Sequence, residues 1–153
     1  MGRLPRDHDP HFVYHLTAHG VDDHTIFHDD TDRQAFVQRA LRVSARYAWK
    51  WHAACLMDTH YHFLFQPTLG LISDGMRDLN SAYCRAFNHR HARHGALLES
   101  RYDDTTIRDD EHLRSAVRYI EFNPVTAGMV SEAEDWPWST YGDNALSRAL
   151  KGV

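Results

Sequence analysis

Apolar positions along this chain switch between two periods. Over 11–19 they alternate loosely, with Phe12, Val13, Tyr14 and Leu16, and Gly20 follows; this predicts a first strand. The stretch 22–30 is polar, with Ile26 and Phe27 as a short strand or an anchor. Phe36, Val37, Ala40, Leu41 and Ala45 then recur at helical spacing, predicting a helix capped by Thr31 or Asp32 and running to about Tyr47. Segments 51–57 and 61–66 predict a hairpin around Asp58-Thr59, ended by Pro67 and Gly70. Ile72, Met76, Leu79, Tyr83 and Phe87 mark one stripe of a long helix over 71–91, closed by Gly95. A fourth strand is expected within 97–107. Asp109 or Asp110 caps a last helix with Leu113, Ala116, Val117 and Ile120 on its apolar face, and Pro124 stops it at Asn123. Trp136-Pro137-Trp138 predicts a packed, irregular cover.

The order strand, helix, strand, strand, helix, strand, helix suits an α+β fold, a ferredoxin-like antiparallel sheet with helices packed on it. With 153 residues and 42% hydrophobic content, the chain is sized for one domain. It divides into an arm at 1–10, a core at 11–141 and a tail at 142–153. No apolar run approaches the ~20 residues of a membrane span. The start carries no apolar export core, and Cys55 and Cys84 stand apart, so a cytoplasmic protein with reduced thiols is expected. The net charge of −4 gives no general pull toward nucleic acid. Acidic residues, however, crowd two stretches, Asp22 to Asp32 and Asp103 to Glu111. Arg77, Arg85, Arg90, Arg93 and Arg101 fall between them.

Two patterns carry chemistry. In His60-Tyr61-His62, residues two apart on a strand face the same way, so both imidazoles project together while Tyr61 and Phe63 point to the other face. Such a pair can share one divalent ion through neutral nitrogens. In a chain with 13 histidines it also fits an ordinary half-exposed strand. Tyr119 and Asn123 lie one helical turn apart on one face. A tyrosine hydroxyl can attack phosphorus and an amide oxygen can complete a metal site; the pair also fits a half-buried tyrosine and a helix-end cap. Tyr83 falls on the apolar stripe and reads as core.

Taken in order, His60-Tyr61-His62 after Met57, Arg101-Tyr102, Arg118-Tyr119-Ile120-Glu121-Phe122-Asn123-Pro124-Val125, Gly128 and Trp136-Pro137-Trp138-Ser139 resemble the IS200-like (Y1) HUH transposases. The REP-associated tyrosine transposases are the most similar branch. The resemblance implies a metal-dependent single-stranded DNA endonuclease and strand transferase acting beside hairpins in repeat DNA. It implies His60, His62 and Asn123 as ligands to Mg²⁺ or Mn²⁺, and Tyr119 as the nucleophile that forms a 5′-phosphotyrosine. Where such proteins often carry Pro-Asn before the first histidine, this chain has Asp58-Thr59. Asp58 is then either a partner orienting a histidine or a turn residue.

Arg77, Arg85, Asn88, Arg90, Arg93 and Arg101 form a candidate DNA-binding surface, with Arg3 and Arg6 as a short arm. A solvated helix end and a loose terminus would look the same. The expected partner is single-stranded or hairpin DNA, bound by a monomer or a homodimer. A catalytically inactive hairpin-binding regulator, a hydrolase that leaves Tyr119 structural, and a histidine-rich binding module remain alternatives.

Overall fold

The first alternating run forms β1 (Tyr14–His19), whose residues are buried and half-buried in turn. The structure is a computed structural model that describes residues 8–152, so the calls on Arg3 and Arg6 lie outside the described residues. Strand β1 pairs antiparallel with β3 (His60–Pro67) and, on its other edge, with β4 (Asp103–Thr106). Strand β2 (Trp49–Leu56) pairs antiparallel with the far edge of β3, giving the order β2-β3-β1-β4. Helix α1 (Asp30–Tyr47) links β1 to β2, and α2 (Ile72–Arg90) links β3 to β4. Two interleaved βαβ units are the ferredoxin-like arrangement expected from the sequence.

Side-chain alternation gives the sheet two unlike faces. Leu16, Ala18, Tyr61, Phe63 and Phe65 point toward α1 and α2, where Phe36, Ala40, Met76, Leu79, Tyr83 and Phe87 complete the main core. Tyr83 is buried there, and its hydroxyl donates to the Ile26 carbonyl. The opposite face carries Ala53, Cys55 and Leu64. It is partly covered by α3 (Asp110–Glu121) through Ala116 and Ile120. His60 and His62 share the parity of Leu64 and so lie on this second, less apolar face.

A bulge in β2 reconciles its pattern with both faces. Trp51 opposes Phe65, but Ala53 opposes Leu64, so the register slips between them. Trp49 and Trp51 before the bulge, and Ala54 and Leu56 after it, therefore all join the main core. Trp49 stacks on Phe65 with ring centroids 4.1 Å apart. Its indole lies against the backbone of α2 at Gly75, where an added Cβ would run into the ring.

Several boundaries differ from the sequence expectation. Asp29, not Thr31 or Asp32, caps α1: its carboxylate accepts from the Asp32 N–H at 3.0 Å. Asp32 is instead buried under Arg90 and His91, which bond its carboxylate. Ile26 and Phe27 are buried anchors rather than a strand, and both backbone N–H groups donate to the Asp58 carbonyl. Helix α2 ends at Arg90 with His91 as its cap, and Ala92 takes the left-handed turn, upstream of Gly95. Strand β4 is only four residues long; Leu97 and Leu98 are buried ahead of it, and Leu98 makes an isolated antiparallel bridge with Gly20 at the end of β1. Helix α3 ends at Glu121, and Asn123 opens a separate single turn, α4 (Asn123–Thr126). The helix therefore stops two residues earlier than Pro124 alone dictates, and Tyr119 and Asn123 do not share one helix.

The Trp136 segment is the expected cover. The Trp138 carbonyl accepts from Leu56 N–H, and Thr140 N–H donates to Ala54, so this strap lies along the outer edge of β2. The tail then forms α5 (Ala145–Lys151), whose Leu146 and Leu150 enter the main core.

Candidate active site

Strand parity alone brings five polar side chains to the α3 face. In register, Thr17 opposes His62 and His19 opposes His60. His15, Thr17 and His19 alternate along β1 as His60 and His62 do along β3. His62 is 4% exposed. Its Nδ1 lies 3.1 Å from the Thr17 hydroxyl and 3.1 Å from His15 Nε2. His60 Nδ1 lies 3.1 Å from the Thr59 hydroxyl, and the His19 ring stacks on it at 5.0 Å.

These contacts fix the useful nitrogen. Both histidines engage a threonine hydroxyl through Nδ1. Among the described residues His62 Nε2 is buried without a hydrogen-bond partner. With the proton on Nδ1, Nε2 keeps a bare lone pair; with the proton on Nε2, a buried N–H would be left unmatched, at a cost of roughly 1–3 kcal/mol. A ligating histidine is usually oriented by a hydrogen bond from its far nitrogen, most often to a carboxylate, carbonyl or water; here hydroxyls and a second imidazole take that place. Burial, then the facing His15, His60 and His19 rings, pulls the His62 pKa down to about 3. Burial and then His19 lower His60, outweighing Asp23 and Asp58, which raise it. Burial, and then His112, lowers His15. The two imidazoles therefore present neutral nitrogens, with ring centroids 5.1 Å apart. That donor set fits a divalent ion. Among the described residues, no group of three or more His, Cys, Asp or Glu side chains is gathered as a complete metal site.

Helix α3 delivers the tyrosine. Its N-terminus is capped by Asp109, one of the two expected residues, whose carboxylate accepts from the His112 N–H at 2.7 Å. Ala116 and Ile120 face the sheet and leave Tyr119 on the margin, 56% exposed. The Tyr119 ring centroid is 5.7 Å from His62 and 6.0 Å from His15. Tyr119, 57 positions after His62 in sequence, thus meets the histidine pair on one open surface. Asn123 is half-buried across the α3–α4 break, and no hydrogen bond joins it to His60 or His62.

The turn before His60 is held from behind. Buried Arg33 donates to the Met57 carbonyl at 3.1 Å and to the Asp58 carboxylate at 2.5 Å, with its guanidinium over the Phe27 and Trp136 rings. Asp58 is thus bonded as a turn residue rather than to a histidine.

Of the candidate DNA-binding residues among those described, Asn88, Arg90 and Arg93 are engaged within the fold, whereas Arg77 lies between Arg85 and Arg101. Arg90 is held by Asp29 and Asp32. Arg93 donates to Asn88 and to the Gly95 and Ala96 carbonyls, and Asn88 donates to Gly95, so these two residues brace the loop after α2. Arg101 lines a hollow with Arg77, Asn80, Cys84 and Tyr102. Arg77 and Arg85 lie on the outer side of α2, in the layer behind the sheet. The sequence reading missed His15, Thr17 and His19, although their spacing of two was the same signal as His60 and His62.

A ferredoxin-like sheet with paired strand histidines, met by a tyrosine from a following helix, defines the class of protein. Residues 10–123 match the family described as "Transposase IS200 like", and the chain belongs to that family. A curated protein of Haemophilus influenzae named as a REP-associated tyrosine transposase is 29% identical over 109 residues. That match covers 62% of this chain and only 60% of the length of that relative. The fold is similar to a solved REP-associated tyrosine transposase bound to a REP hairpin. There the TM-score is 0.75 at 21% identity, over 92% of this chain and 83% of that one. A crystal structure from Deinococcus radiodurans R1, described as a transposase, gives a TM-score of 0.52 at 18% identity, over 80% of this chain and 95% of that one. Among the described residues, no helix is long and apolar enough to cross a membrane.

Proposed function

We propose that this transposase-family chain cuts and rejoins single-stranded DNA beside a hairpin, with Tyr119 as nucleophile. The observation that carries the reading is the approach of the Tyr119 ring to His62, whose buried Nε2 has no hydrogen-bond partner. Family membership, and the hairpin bound by the structural relative, support the choice of substrate.

The Tyr119 oxygen attacks the phosphorus of a phosphodiester, forming a P–O bond to the tyrosine. The phenol gives up its proton as it attacks, the bond to the 3′ oxygen breaks, and that oxygen takes up a proton and leaves as a 3′-hydroxyl. The product is a 5′-phosphotyrosine. One phosphodiester replaces another, so a different 3′-hydroxyl can reverse the step and join strands without a nucleotide cofactor. His60 and His62, with Asn123 as candidate third donor, would hold Mg²⁺ or Mn²⁺. Such an ion supplies charge neutralisation at the non-bridging oxygens. His15 and Thr17 orient His62, and Thr59 orients His60. The exposure of Tyr119 suits a nucleophile that must reach a bulky strand.

A labelled single strand incubated with protein and Mn²⁺ tests the proposal. The wild type is expected to yield a protein–DNA adduct that survives denaturation. Tyr119→Phe is expected to yield none while keeping its fold. Cleavage by Tyr119→Phe at the wild-type rate would instead favour a hydrolase.

A further inference from the structure

Helix α3 closes on a carboxylate that the helix itself does not favour. Glu121 is its last residue, at the end of the helix dipole that repels an anion. It is also buried, and a buried charge needs partners. Those partners come from the C-terminal part of the chain. The Thr140 hydroxyl donates to Glu121 Oε2 at 2.7 Å, and Lys151 Nζ, at the end of α5, lies 3.6 Å from the same oxygen. The next residue, Phe122, meets Tyr141 edge to face with ring centroids 5.1 Å apart. Thr140 is itself fixed. Its hydroxyl accepts from the Ala54 N–H at 3.0 Å, and its own N–H donates to the Ala54 carbonyl at 3.0 Å. Ser147 of α5 donates to the Thr140 carbonyl at 2.9 Å. Ala54 opposes Phe63 in the pairing of β2 with β3, and Phe63 follows His62 directly. A continuous set of bonds thus runs from the end of α3, through Thr140 and β2, to the strand that carries the histidines.

We propose that Glu121 is the positioning residue for Tyr119, through which the strap and α5 hold the attacking helix in place. The proposal rests on the reading of Tyr119 as nucleophile. Tyr119 and Glu121 are two positions apart, about 200° around a helix, so one side chain is exposed while the other is buried. The apolar seat of α3 is small: Ala116 and Ile120 are buried against the sheet, and Leu113 and Val117 partly so. Apolar burial has no direction, so it sets the depth of a helix better than its roll or tilt. A hydrogen bond is directional and sets both. The flanking chain adds little stiffness, because β4 is four residues long and the helix breaks at Phe122, directly after Glu121. Glu121 is less than one helical turn from Tyr119, so a shift at this anchor passes straight to the phenol. A displacement of about 1 Å at a reacting group can cost on the order of a hundredfold in rate.

The test uses the full chain with a single-stranded oligonucleotide and Mn²⁺. In Glu121→Ala, the saturating rate of adduct formation is expected to fall by about tenfold or more. The oligonucleotide concentration at half-saturation and the affinity for Mn²⁺ should stay within about twofold of wild type, because binding is untouched. Glu121→Gln, whose amide oxygen still accepts from Thr140, should keep roughly a third or more of the wild-type rate. Thr140→Val removes the donor instead and should match Glu121→Ala; it decides the matter if Glu121→Ala fails to fold. Amide hydrogen exchange is read on the same proteins. Both variants should lose protection in the last turn of α3 while β1 and β3 keep theirs. If the wild type forms no adduct but α3 alone loses protection in the variants, the nucleophile reading fails and the anchor stands. A folded Glu121→Ala with the wild-type rate and wild-type exchange in α3 would overturn the anchor. So would a loss shared equally by rate, half-saturation and Mn²⁺ affinity, or by α3 and the rest of the sheet.

Discussion

His62 is held neutral by its surroundings, and that has a signed consequence. Its folded pKa of about 3 lies below the ~6.5 of an unfolded histidine. Between those values the unfolded chain binds a proton that the folded chain refuses. Stability is therefore intact above about pH 6.5 and falls as pH drops through that window. His60 and His15 are shifted in the same direction and add to the fall. In His62→Asn, which keeps a polar atom near Nδ1, stability measured by urea unfolding should decline less steeply between about pH 7 and 5 than in the wild type. Parallel declines would contradict the assignment. The paired histidines were legible at this scale because β-strand parity requires no tertiary knowledge. His15, Thr17 and His19 carry the same spacing, but only the register between β1 and β3 shows that they oppose the pair.

Among the elements, α2 is seated by the contact of Gly75 with Trp49. Gly75→Ala puts a methyl group into the indole. It should cost about 1–3 kcal/mol, despite the better helix propensity of alanine. A variant as stable as wild type in chemical unfolding would show that the helix can shift freely. The hairpin turn has its own anchor in Arg33. Arg33→Ala removes the guanidinium from between Phe27 and Trp136 and frees the turn ahead of His60. A loss of roughly 3 kcal/mol is expected, together with weaker Mn²⁺ binding by the folded variant. Asp58→Asn, on an exposed partner, should cost about 1 kcal/mol or less. Element type and order were readable from periodicity, but the ends were not. The run Asp29-Asp30-Thr31-Asp32 offers four candidate caps; Asp29 takes the role, while Asp32 is buried beneath His91 and Arg90, which also holds Asp29. The slip at Trp51–Ala53 was equally hidden, since a bulge leaves the residue types unchanged.

In the whole molecule, the sheet separates two surfaces of different chemistry, an imidazole face under α3 and an arginine groove between α1 and α2. The groove could not be read from sequence. Arg39, Arg42 and Arg46 look like the solvated side of one helix until α2 brings Arg77 and Arg85 alongside. Nor was the tail legible as structure, yet α5 closes the main core. Leu146→Ala and Leu150→Ala should each cost about 2–5 kcal/mol in chemical unfolding; values near zero would mean that α5 is not docked in solution. The central claim concerns one oxygen atom, that of Tyr119, and mass spectrometry reads it directly. After reaction with a single-stranded oligonucleotide and Mn²⁺, then nuclease and trypsin digestion, the peptide beginning at Tyr119 should carry a 5′-linked nucleotide on that residue. A nucleotide localised to Tyr141 or any other residue, or cleaved DNA with no modified peptide, would contradict the account.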